Sequence, residues 1–446
     1  MTRGNPLSVI FMFTLPLAIG NIFQQLYNMA DTIIVGRFVG ADALAAVGST
    51  GTIMFLLNGF AQGITAGFSV LTAQRFGAGK KDAVKQSVTN GILLSIIGAI
   101  LLTVLGCAIM DPLLHLMNTP DDIFDMAYTY ITLISLGMIA NVFYNLFSSY
   151  LRAVGNSKAP LFFLVFSACL NVGLDLFFIV VLKMGVAGAA WATNLSQAIS
   201  ALLCIVYIYC KVPALVPEKK HWRLTAGDTR YQMQMGIPMA LQFAITSSGT
   251  MIMQSAINLF GSEAVAAYTA ACKVHSLLTQ GMVAMGQTMA VYSGQNYGKG
   301  DYGRIRAGVK AALIIEFIYS VVSAVAVSLL LGVTLGLFFS GDVDLTAMMP
   351  WARTYITICT LFYIPLSTIF IFRNTMQGCG YGFLPMMGGV VELVARMLVA
   401  MIAMRVHSYA LSCFCDPAAW ISAGLFTGVS YLFVMKKIKA TLSPKG

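Results

Sequence analysis

Two carboxylates stand inside stretches otherwise built of Leu, Ile, Val and Phe. Asp31 lies in the segment 15–40, and Asp175 lies in Asn171-Val172-Gly173-Leu174-Asp175-Leu176-Phe177-Phe178. An acid in hydrocarbon is costly, so each should face a protein interior or a water-filled cavity, and each is a candidate functional group. Asn21, Gln24, Asn28 and Asp31 recur every three or four residues, which gathers them into one polar stripe of a helix. Asn171 and Asp175 are four apart and share a helix face. Burial and a bound cation pull the proton affinity of a carboxyl in opposite directions, so two acids flanked by amides form a candidate cation or proton site. Thr193, Asn194 and Tyr130 are placed to add oxygens. The competing reading is a polar knot that ties helices together. Two acids with no basic partner in the same half of the chain are costly as mere glue.

The elements that must position these groups follow from composition. Of 446 residues, 58% are hydrophobic and only 10% are charged, whereas a soluble chain carries about a quarter charged residues. Uncharged runs such as 91–110, 126–151, 184–210 and 231–262 are each long enough for a membrane-spanning helix, which needs about 20 apolar residues. The fold class is therefore an all-α polytopic membrane protein of about twelve helices. These lie near 10–38, 46–74, 88–110, 123–150, 159–182 and 186–210, then near 232–260, 265–295, 307–339, 350–374, 382–405 and 417–436. A transmembrane barrel would show alternating segments of about ten residues, and these runs do not alternate.

The net charge of +10 does not mark a nucleic-acid partner, because the basic residues fall in short alternate loops rather than in one patch. Arg75, Lys80, Lys81 and Lys85, then Arg152 and Lys158, then Lys219, Lys220, Arg223 and Arg230 form the first groups. Lys299, Arg304 and Arg306, then Lys436, Lys437 and Lys439 form the rest. The intervening loops carry Asp111, Asp121, Asp122, Asp125, Asp342 and Asp344. The positive-inside rule then places both termini in the cytoplasm, which fits an even helix count. The nine cysteines are scattered without paired spacing and read as small core residues, so neither a disulfide framework nor a structural metal site is expected. The first apolar run lacks a small-residue cleavage pattern and should be retained as the first helix.

The two halves repeat one another. Leu15-Pro16-Leu17-Ala18 matches Ile237-Pro238-Met239-Ala240, and Gly40-Ala41-Asp42-Ala43-Leu44 matches Gly261-Ser262-Glu263-Ala264-Val265. Gln74-Arg75-Phe76-Gly77-Ala78-Gly79 matches Gln295-Asn296-Tyr297-Gly298-Lys299-Gly300, and Gly155 with Pro160 matches Gly380 with Pro385. The expected division is a first lobe over 1–210, a cytoplasmic linker over 211–231 and a second lobe over 232–446. An even number of helices per lobe makes the repeat parallel, the arrangement in which cargo binds between lobes that rock. Pro16, Pro238 and Pro365 fall inside apolar runs, where a missing amide permits a bend.

The second lobe is charged differently. Met253 occupies the place aligned with Asp31, and Gln242, Thr246, Thr250, Gln254 and Asn258 make an uncharged polar stripe on the seventh helix. Glu392 and Arg396 are spaced i,i+4 and read as a structural ion pair. Lys273 is expected to snorkel to the surface, as is Glu316 at the opposite side, and His275 lies close by Lys273 in sequence. Gln24, Asn28, Asn58, Gln62, Gln254, Gln280 and Gln287, with many Met and aromatic residues, suggest a cargo cavity suited to varied amphipathic compounds.

Several segments resemble the multidrug and toxic compound extrusion (MATE) family. They are LPLAIGNIFQQLYNMADTIIVGRFVGADALAAVG, the loop QRFGAGKKD with its echo QNYGKGD, LRAVGNSKAPLFFLVFSACLNVGLDLFFI, and GVAGAAWATNLSQ. The resemblance implies two six-helix lobes in the cell membrane and export of organic, often cationic, small molecules coupled to entry of protons or sodium. The chain is most similar to the DinF-like branch, in which the coupling site lies in the first lobe. On that likeness Asp31, Tyr130, Asn171, Asp175 and Thr193 would be the coupling residues, with sodium or a proton at Asp31 and Asp175. No cofactor is implied, and a monomer is expected. Another branch places its acids on the seventh and tenth helices, which carry none here. The alternative is a flippase for a lipid-linked precursor, which would need a strongly basic cavity. A membrane enzyme is disfavoured, since four His residues include no HExxH or paired ligand motif. A gated channel would need a short filter loop that the sequence does not show.

Overall fold

The computed structural model describes residues 1–117, 119–336 and 345–442, so Asp342 and Asp344 lie outside the described residues. Its regular structure is helical, with no strand among the described residues. A bilayer offers backbone amides and carbonyls no water, and helices satisfy those groups within one segment. Eight helices are long and apolar enough to cross a membrane singly, and two bent pairs bring the number to ten. The helices α9 (Ala226–Ile257) and α10 (Ser262–Lys299) also have the length, but carry more Gln, Ser and Thr, which lowers their apolarity. With them the twelve expected crossings are accounted for.

The chain forms two compact units, one of residues 19–243 and one of residues 1–18 with 244–446. The expected division at 1–210, 211–231 and 232–446 follows the repeat, whereas these units follow packing. The helix α1 (Pro6–Phe38) passes from one unit to the other after Ala18, and α9 passes after Phe243. Each change falls a few residues beyond an interior proline, Pro16 or Pro238.

The reason lies in packing. In the 19–243 unit, Gly63 and Gly67 of α3 (Gly51–Gly77) let the first part of α9 approach at backbone distance. A Cβ on Gly67 would meet the Gly236 backbone, which has no space for it. Arg75 then grips Asp228 at the start of α9 through two nitrogens, at 2.7 and 2.5 Å, a fork geometry that fixes orientation as well as charge. In the other unit Phe13 and Leu17 of α1 pack with Ala284 and Val291 of α10. The Thr14 hydroxyl donates to Thr288 at 2.8 Å, and Arg304 donates to the carbonyls of Met1, Arg3 and Gly4.

The repeat is visible in the backbone. Gly79 and Gly300 both adopt left-handed angles, φ +72° and +80°, at matched positions, and Gly155 and Gly380 do so at +92° and +93°. Only glycine takes that region without a steric penalty. The pair α5 (Asp121–Leu136) and α6 (Met138–Ala153) is bent by 47°, and α12 (Leu345–Thr360) and α13 (Tyr363–Gly378) by 48°. Pro365 occupies the first turn of α13 rather than a helix interior. Its missing amide would have no intrahelical partner there, so it starts the helix and does not bend it.

Candidate functional site

In the 19–243 unit a pocket of about 140 Å³ is lined by polar side chains from five helices. Gln24, Tyr27, Asn28 and Asp31 come from one stripe of α1, and Asn58 and Gln62 from α3. Tyr130 comes from α5, Asn141 and Asn145 from α6, and Thr193, Asn194 and Gln197 from α8 (Val186–Lys211). The lining contains neither Lys nor Arg.

Asp175 sits behind this lining, fully buried, at the last residue of α7 (Lys158–Asp175). The carboxyl groups of Asp31 and Asp175 lie beside one another. Asn171 turns its amide nitrogen to Asp175 Oδ2 at 3.0 Å, and its amide oxygen accepts from the Thr193 backbone N–H at 3.2 Å. Tyr27 and Thr193 both line the pocket beside the acids. One oxygen of each acid, Asp31 Oδ1 and Asp175 Oδ1, is buried without a hydrogen-bond partner. Two ionised carboxylates side by side repel strongly where water is excluded, so the pair needs a positive charge between them: a shared proton or a small cation. The atoms able to hold a cation here are oxygens, which suits a hard cation or a proton and no soft metal.

The local fold explains the placement. The segment Leu176–Val181 after Asp175 is a π-helical turn, a departure from α geometry that often marks functional positions. Its backbone lies against Gly188 of α8, where a Cβ would press on Phe178. The bend between α5 and α6 falls at Gly137, and Asn194 fills the space a side chain there would need. The Asn194 amide donates to the Leu133 carbonyl at 2.7 Å, supporting a carbonyl beside the break.

Asp31, Tyr130, Asn171, Asp175 and Thr193 are thus gathered in one place, with Gln24, Asn28, Asn58 and Gln62 around them. Gln254, Gln280 and Gln287 belong to the other unit and take no part in this pocket. There Gln254 donates to Asn258 at 2.8 Å, Gln280 donates to the Ser276 carbonyl at 3.2 Å, and Gln287 Oε1 is buried without a partner. Sequence reading missed Tyr27, Asn141, Asn145 and Gln197. The signal was present as four-residue spacings, Tyr27 to Asp31, Asn141 to Asn145 and Thr193 to Gln197.

The ion pair expected between Glu392 and Arg396 is replaced by another. Arg396 Nε donates to Asp416 Oδ1 at 2.8 Å, both side chains being almost wholly buried. Asp416 stands in the first turn of α16 (Cys415–Leu442) and reaches the guanidinium from across the helix pair. Glu392 is buried too and forms no ion pair with Arg396 among the described residues. Glu316 does not snorkel: it is buried, and its Oε2 has no partner. Lys273 is exposed, as its long stem allows. His275 is buried, hydrogen-bonded to the Tyr363 hydroxyl at 3.0 Å and stacked on Trp420.

A bundle of membrane-crossing helices around a carboxylate-lined pocket is the architecture of a membrane transport protein. The MatE family profile matches residues 16–177 and 238–402. The probable multidrug resistance protein YpnP of Bacillus subtilis is 31% identical over 309 residues, covering 68% of each chain. The probable multidrug resistance protein NorM of Thermotoga maritima is 24% identical, covering 96% of this chain and 90% of its own. Among solved structures, a MOP superfamily transporter from Pyrococcus furiosus, described by the reverse polarity of its binding pocket, superposes with a TM-score of 0.91. It covers 98% of both chains at 23% identity. The chain belongs to the MatE family, and it is a multi-pass membrane transporter rather than an enzyme.

Proposed function

We propose that the protein is a cation-coupled antiporter that exports organic, cationic or amphipathic compounds by alternating access, with its coupling ion at Asp31 and Asp175. The observation that carries this reading is the adjacency of the two carboxyl groups, each with one oxygen unpartnered. One proton shared by the pair would relieve the repulsion between them, and the proton is taken as the coupling ion.

Coupling needs the ion and the cargo to prefer different conformers or to exclude one another. Asp31 shares its helix stripe with Gln24 and Asn28, which line the same pocket. Loss of the proton leaves two adjacent negative charges, which favours a conformer that separates α1 from α7. Pro16 and Pro238, each near the point where a helix changes unit, are where the bending is proposed to occur. The names of the relatives support a multidrug cargo. A lipid-linked precursor with a pyrophosphate headgroup is disfavoured, because the pocket lining has no Lys or Arg.

Efflux of a fluorescent organic cation from proteoliposomes, under separately imposed pH and sodium gradients, tests this. The pH gradient alone should drive efflux, and the sodium gradient alone should not. A response to sodium only would replace the proton by sodium, and a response to neither would overturn the antiport.

A further inference from the structure

The unit formed by 1–18 and 244–446 carries another cavity, unrelated to the acids: an open groove of about 500 Å³. One wall is a single stripe of α11 (Tyr302–Gly336), made by Arg306, Val309, Lys310 and Leu313 at helical i, i+3, i+4 and i+7 spacing. The other is a stripe of α16, Gly428, Tyr431 and Leu432, with Phe372 of α13 stacked on Tyr431 at 4.7 Å. The two cations are exposed, lie within the first turns of α11, and form no ion pair among the described residues. No acid lines the groove. Gly428 keeps the α16 wall low: a Cβ there would meet only the edge of Phe372, at 3.9 Å. Beside it Leu432 is 68% exposed, an apolar surface that water would not tolerate but an acyl chain would cover.

We propose that this groove binds one anionic glycerophospholipid, its phosphate held by Arg306 and Lys310 and an acyl chain lying over Phe372, Gly428 and Leu432. Charge selects the occupant. A groove with two unpaired cations at one end and an apolar floor complements a molecule that is anionic at one end and hydrocarbon at the other. A guanidinium offers forked donors to phosphate oxygens, while an ammonium one turn away adds a point charge. The volume is that of an ordinary small-molecule site. A cationic cargo would be repelled by the same two residues, which separates this groove from the pocket at Asp31.

Native mass spectrometry of the purified full-length protein, titrated with phosphatidylglycerol or phosphatidylcholine, reads the site without any transport assay. Its failure would therefore leave the antiport untouched. The wild type should retain one phosphatidylglycerol in preference to phosphatidylcholine by on the order of tenfold, as two basic contacts to an anionic lipid imply. Arg306→Gln with Lys310→Gln should remove the preference, and Arg306→Lys with Lys310→Arg should keep it. Gly428→Leu, which fills the groove at constant charge, should weaken retention of phosphatidylglycerol. Equal retention of the two lipids by the wild type would overturn the proposal. So would a preference that survives both the charge removal and Gly428→Leu. Full competition by inorganic phosphate would do the same, since the site would then read phosphate without its lipid.

Discussion

Asp175 is the more demanding of the two acids, because it is fully buried and stands beside another acid. Its cost was legible in the sequence: a carboxylate amid Leu and Phe demands a function or a partner, and Asn171 four residues earlier names one neighbour. Arg396 shows where such reading stops. The spacing to Glu392 fits an ion pair, yet the guanidinium bonds Asp416, twenty residues away on another helix. An acid in the first turn of a helix reads in sequence as a favourable dipole contact, and nothing local reveals that it reaches across. The structure orders the two acids in importance. Asp416→Ala leaves a buried guanidinium uncompensated and should cost about 3–5 kcal/mol, seen as a large fall in thermal unfolding temperature in detergent. Glu392→Gln breaks no ion-pair contact and should shift it far less. Equal losses would show that Glu392 shares the pairing.

At the scale of elements, the breaks matter more than the rods. Twelve apolar runs could be counted from composition, but the bend at Gly137 and the π-turn after Asp175 could not, since both are set by what packs against them. Gly137 and Asn194 are two halves of one device: the glycine makes room and the amide supports the Leu133 carbonyl. Gly137→Ala should lose about 1–3 kcal/mol through overpacking, and Asn194→Ala about 1–2 kcal/mol through the lost hydrogen bond. The double variant should lose clearly less than the sum, because removing the amide clears the clash. Additive losses in thermal unfolding would show the two residues to be independent.

At the scale of the whole molecule, the duplication was legible in matched motifs and the paired glycines carry it into the backbone. The unit limits were not legible. A helix of 33 residues looks uniform in sequence, and only its neighbours decide that residues before Ile19 pack with one unit and those after it with the other. The repeat also isolates what the shared scaffold does not require. Asp31 has Met253 as its counterpart, buried in an apolar cluster of its unit, so the paired acids belong to one half alone, and coupling is proposed to lie there. Counting protons tests this most directly. Proteoliposomes with a pH dye inside and a fluorescent organic cation as cargo should show proton flux that rises and falls with cargo flux. With Asp31→Asn or Asp175→Asn, in protein that unfolds thermally like the wild type, that linked flux should vanish. Undiminished cargo-linked proton movement in both variants would contradict the assignment.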